Sequence, residues 1–114
     1  MASSIINLEH GLPTVDAALM RLRLELSTLR RTGVTTIKII HGYGSSGIGG
    51  AIRTATRQFL SEQLKEGKIK AYCAGEVFGP FEATGRNIVH LAPALRKDND
   101  WGNQNDGVTL VILR

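Results

Sequence analysis

Residues 41–50 carry five glycines in ten positions, His41-Gly42-Tyr43-Gly44-Ser45-Ser46-Gly47-Ile48-Gly49-Gly50, set between two segments of opposite periodicity. Before them, Thr35-Thr36-Ile37-Lys38-Ile39-Ile40 is rich in β-branched side chains and reads as a strand. After them, Ile52, Ala55, Phe59, Leu60 and Leu64 recur at helical spacing, which predicts a helix over about residues 51–66 with Gly67 as its stop. A strand, a glycine loop and a helix in that order belong to an α/β fold in which the helix packs back on the sheet. Glycine is needed in such a loop where the backbone takes positive φ or must approach another group closely.

The rest of the chain extends this pattern. Ile5-Ile6-Asn7-Leu8 reads as a first strand. Pro13-Thr14 opens a helix with Thr14 as N-cap and Asp16 in the first turn, where negative charge suits the helix dipole. Val15, Ala18, Leu19, Leu22, Leu26 and Leu29 form its buried stripe, Arg30-Arg31 its last turn and Gly33 its stop. Residues 69–74 read as a third strand. Val108-Thr109-Leu110-Val111-Ile112-Leu113, almost wholly apolar, reads as a fourth with an interior place in the sheet. Residues 81–90 are the candidate for an additional helix before that last strand, weakened by Gly85 and ended by Pro93. Residues 96–106 are polar and read as an exposed loop. The expected fold is a two-layer α/β sandwich: a four-stranded mixed sheet with two main helices, order β-α-β-α-β-β, as one domain over 1–114.

Composition narrows the setting. With 114 residues, 42% hydrophobic and 21% charged, the chain has the profile of one globular domain. No apolar run approaches the ~18 residues of a membrane span, and the N-terminal Met1-Ala2-Ser3-Ser4 lacks a signal-peptide pattern. A cytoplasmic location, without membrane association, is the expectation. Cys73 is the only cysteine, which excludes an internal disulfide and any multi-cysteine zinc site. The net charge of +4 favours polyanionic partners weakly.

Backbone N–H groups at a helix N-terminus, with the helix dipole, make a ready anion site. The phosphate-binding candidates are therefore Gly42, Tyr43, Gly44, Ser45, Ser46 and Gly47, joined by Arg53 and Arg57, which the i, i+4 spacing sets on one helix face. Cations in the first turns oppose the dipole, and an anionic ligand resolves that conflict. Against this stands the reading of both arginines as solvated surface residues. Gly42-x-Gly44-x-x-Gly47 matches the dinucleotide fingerprint in form only. It follows the second strand, and the strand-end acid expected ~20 residues on is absent. No Gly-Lys-Ser/Thr follows for a Walker A loop, and no Gly-x-Ser-x-Gly elbow activates Ser45 or Ser46.

Taken in full, Ile39-Ile40-His41-Gly42-Tyr43-Gly44 followed by Gly50-Ala51-Ile52-Arg53 resembles the His-Gly-x-Gly-x-Gly signature of the Smr (small MutS-related) domain and its small-x-Leu-Arg helix. Thr14-Val15-Asp16-Ala17-Ala18-Leu19 is similar to the family's Thr-Val-x-x-Ala-Leu, and Gly107-Val108-Thr109-Leu110-Val111 to its final strand. The resemblance implies a β-α-β-α-β-β fold and a domain that binds or nicks DNA or RNA. One departure stands out. The family's Leu-Asp-Leu-His-Gly is met by Ile6-Asn7-Leu8-Glu9 counted from the strand, or by His10-Gly11 counted back from the helix. Where nuclease activity in the family depends on that motif, the resemblance does not carry that activity over to this chain. About twenty residues before the last strand also exceed the shortest members.

His41, at a strand end, is a candidate phosphate donor or acid–base group, with a neutral carbonyl-capping histidine as the structural alternative. Parallel first and second strands would bring His10 and Glu9 to the same edge. The tentative catalytic set is His41, His10 and Glu9. Tyr43 is the best base-stacking candidate, Trp101 is equally a loop anchor, and His90 is read as surface. No metal-ligand pattern is present, and the sequence names no cofactor. The leading reading is a nucleic-acid-binding domain contacting phosphates through the glycine loop; the alternative is an endonuclease nicking DNA or RNA. A third reading is a phosphate, nucleotide or partner-docking module, against which Arg21, Arg23, Arg30 and Arg31 on the first helix weigh slightly.

Overall fold

The structure, a computed structural model, describes residues 2–11, 14–42 and 48–114. Four strands form one sheet in the order β1-β2-β4-β3, with β1 Ala2–Asn7, β2 Val34–Ile40, β3 Ile69–Ala74 and β4 Val108–Leu113. β1 and β2 pair in parallel, and β4 runs antiparallel to both β2 and β3. The mixed sheet expected from the sequence is therefore observed, with β4 in an interior position.

Strand periodicity decides what lies on each face. Ile37 and Ile39 of β2 and Val111 and Leu113 of β4 point to one side, where helices α1 (Val15–Arg31) and α2 (Ile48–Lys65) cover them with Ala18, Leu22, Leu26, Ile52, Phe59 and Leu60. Val108, Leu110 and Ile112 point to the other, beneath helix α3 (Ala83–Leu91), which contributes Ile88 and Val89 to a second cluster with Phe78. β4 is apolar on both faces because both faces are covered. The additional helix over 81–90 thus exists and adds a partial third layer.

Local rules explain the element ends. Thr14 accepts from the Ala17 amide at 3.1 Å as the α1 N-cap. Gly33 and Gly67 take positive φ after α1 and α2. Gly85 does not weaken α3. A Cβ there would lie 2.4 Å from the carbonyl oxygens of Val77 and Gly79, so the residue lets the helix press against that turn.

Three expectations are corrected. α2 begins at Ile48, three residues before the expected Ala51, although Gly49 and Gly50 are poor helix formers. Leu64, in the final turn of α2, is exposed rather than inward. Residues 96–106 are not a free polar loop. A short 3-10 turn, Pro93–Lys97, leads into a segment pinned by Lys38 of β2, which pairs with both Asp98 and Asp100. Burial alone would lower the Lys38 pKa, but the two carboxylates raise it above the ordinary lysine value. Trp101 meets Phe78 edge-to-face at 5.0 Å between ring centroids and so anchors the loop.

Candidate nucleic-acid interface

Pairing of Asn7 with Ile40, of Ile40 with Val108 and of Ala74 with Thr109 brings three strand C-termini and the start of β4 to one edge. The turn after β1 (Glu9, His10), the glycine loop after β2, Glu76 after β3 and Asp106 before β4 follow from that edge. Open α/β sheets carry their ligands at such strand ends.

Glu9 reaches across to the glycine loop. A Cβ on Gly42 would sit 2.8 Å from the Glu9 carboxylate, and Gly42 has φ 89°, so a side chain is excluded there twice over. Asn7 Oδ1 accepts from the Glu9 amide at 2.9 Å and fixes the turn. Both Glu9 and His10 are exposed. The parallel pairing places the β1 and β2 ends, which lead into these residues and into His41 and Gly42, on one edge. The candidates Tyr43, Gly44, Ser45, Ser46 and Gly47 lie outside the described residues.

His41 is not presented to solvent. It is fully buried, its Nδ1 is 3.1 Å from the Gly42 carbonyl oxygen, and its Nε2 is 2.8 Å from Thr109 Oγ1. A carbonyl only accepts, so Nδ1 carries the proton and Nε2 accepts from the Thr109 hydroxyl. Thr109 Oγ1 in turn accepts from Arg57 Nε at 3.2 Å. Burial, assisted by Arg57 and Arg53 and opposed by the Gly42 carbonyl and Glu76, pushes the imidazole pKa down to about 4. His41 at neutral pH is therefore an uncharged clamp on the loop's first carbonyl. The expectation of an accessible acid–base or phosphate-donating histidine is corrected: both ring nitrogens are spent inside the fold.

The arginines are also committed. Because α2 starts early, Arg53 lies in its second turn and Arg57 in its third, and the dipole conflict expected for first-turn cations fades. Arg57 grips Glu76 through two parallel bonds of 2.8 and 2.7 Å. Burial would raise the Glu76 pKa, but this guanidinium holds it below the usual carboxylate value. Arg57 further reaches the carbonyls of Asp106 and Val108 at 3.4 Å. Arg53 pairs with Asp106 at 3.0 Å, with the Asp106 side chain the more exposed partner. Neither arginine is a plain solvated surface residue. The acids that occupy them, 19 and 53 positions away, gave no local signal in the sequence.

The amides of His41 and Gly42 both donate to the Gly107 carbonyl, at 3.0 and 3.1 Å. The loop is thus held at its start by β4 from both backbone and side chain. Among the described residues, no group of three or more histidine, cysteine or acidic side chains is arranged to hold a metal ion. No described helix is long and apolar enough to cross a membrane.

An α/β domain with its glycine loop clamped at the strand edge is the class that this geometry defines. The family model of the Smr domain matches residues 7–92, and the chain belongs to that family. The crystal structure of the Smr domain of Thermus thermophilus MutS2 is similar in fold, with TM-score 0.56 over 100% of this chain and 99% of that chain at 24% identity. The comparison with curated proteins gave no match.

Proposed function

We propose that this chain, as a single domain over 1–114, binds nucleic acid by its phosphate backbone at the strand edge, through Gly42 and the loop residues Tyr43, Gly44, Ser45, Ser46 and Gly47. The observation that carries this reading is the alignment of the β1 and β2 ends, Asn7 opposite Ile40, at the edge from which the chain runs on to α2, since a helix N-terminus favours an anion. The net charge of +4 supports a polyanionic partner, DNA or RNA. Arg53, paired with Asp106, reaches a phosphate by exchanging that carboxylate for it. Arg57 acts as a positioning residue, holding Thr109 and through it His41 and the loop.

A nicking activity would have to use Glu9 and His10, because His41 has no free nitrogen. The contact of Glu9 with Gly42 is the one observation that favours it. Single-turnover gels on single-stranded RNA, duplex DNA and branched DNA decide the matter. Binding without product is expected from the wild type. Product that persists in His41→Gln and disappears in Glu9→Gln would replace the binding reading with the nicking one.

A further inference from the structure

Beside α3, on the sheet face away from α1 and α2, a cleft of about 430 Å³ opens between that helix, the 3-10 turn and the anchored loop. Its walls include Pro80, Arg86, Asn87, His90, Arg96 and Trp101, and no acidic residue lines it. Arg86 is steadied by a 3.0 Å bond to the Pro80 carbonyl, so its guanidinium is held without being neutralised. Arg96 has no acidic partner among the described residues. Trp101 is fixed from behind by Phe78.

We propose that this cleft takes an unstacked base and its phosphate from single-stranded nucleic acid. The inference rests on the nucleic-acid reading of the strand edge and extends it to a second contact. Two cations and an aromatic ring lining one cleft match a base with its attached phosphate, since every base offers a π-face for stacking. A duplex keeps its bases stacked inside and cannot fill such a cleft. Arg96 and Trp101 lie beyond residue 92, where the Smr match ends, and the other named walls lie within it.

Trp101 is the only tryptophan, so its fluorescence reports the cleft alone. The full chain is titrated with fluorescein-labelled 12-mers, single-stranded and duplex, following label anisotropy and, with unlabelled strands, tryptophan emission. Single strands should quench Trp101 in step with binding, and duplex should bind without quenching. Arg96→Gln should lower the salt slope for single strands by about 0.7, one phosphate contact, and leave the duplex slope unchanged. Single-strand binding with unchanged emission, or a single-strand salt slope that Arg96→Gln leaves unchanged, would overturn the cleft proposal while sparing the strand-edge reading. Absence of any anisotropy change with either form would overturn both.

Discussion

The Nε2 atom of His41 lies 2.8 Å from Thr109 Oγ1, and this contact ties the first residue of the glycine loop to the interior strand of the sheet. Because Nδ1 donates to Gly42, the hydroxyl proton must point to Nε2, and its oxygen is left to accept from Arg57. The chain Glu76–Arg57–Thr109–His41–Gly42 therefore has every proton assigned.

Thr109→Val keeps the shape and removes the hydroxyl. It leaves His41 Nε2 without a donor inside the fold and takes one acceptor from Arg57. Loss of about 1–3 kcal/mol is expected, the usual cost of a stranded buried polar group. Urea unfolding at pH 7 measures it, and Thr109→Ser should recover most of the loss. Equal stability of the valine and serine variants would show that the hydroxyl does not hold the chain together.

The low His41 pKa has a direct consequence for stability. The unfolded imidazole protonates near pH 6.5, whereas the folded one resists until about pH 4. Between those values the unfolded state binds the extra proton, so stability is complete above pH 6.5 and is lost as pH falls towards 4. The full loss is on the order of 3 kcal/mol, at about 1.4 kcal/mol for each pH step between the two values. Urea midpoints from pH 7 to 4 should fall more steeply for the wild type than for His41→Gln, which lacks this buried imidazole. Parallel curves would mean that His41 is not buried neutral.

At Gly85 a methyl group would lie 2.4 Å from two carbonyl oxygens and 2.5 Å from the Gly79 amide nitrogen. Backbone cannot yield as a flexible side chain can, so Gly85→Ala should cost at least ~2 kcal/mol, within the usual range for overpacking. Helix propensity alone would make the same change stabilising by up to ~1 kcal/mol. The sign of the shift in thermal midpoint separates the two effects.

Whatever is local was legible in the sequence. The Val15–Leu29 stripe, the Thr14 cap, the strands and the place of the almost wholly apolar β4 all follow from periodicity and capping within one element. The start of α2 was not, because Gly49-Gly50 argues against helix until tertiary packing overrides propensity. Pairings across the chain were equally hidden. Nothing near Arg57 announces Glu76, and nothing near Lys38 announces Asp98 and Asp100, sixty and more positions on. His41 shows the limit most clearly: a strand-end histidine reads the same whether it faces a ligand or turns inward to Thr109. Only the position of β4 beside β2 decides it.

Whether the glycine loop meets the nucleic acid is tested most directly by Gly44→Val. Filter binding of that variant to single-stranded RNA and duplex DNA is measured beside its thermal melt. Affinity should fall at least ~10-fold, about 1.4 kcal/mol, while melting stays cooperative and near the wild-type midpoint. Wild-type affinity in a variant that melts normally would contradict a role for the loop in binding.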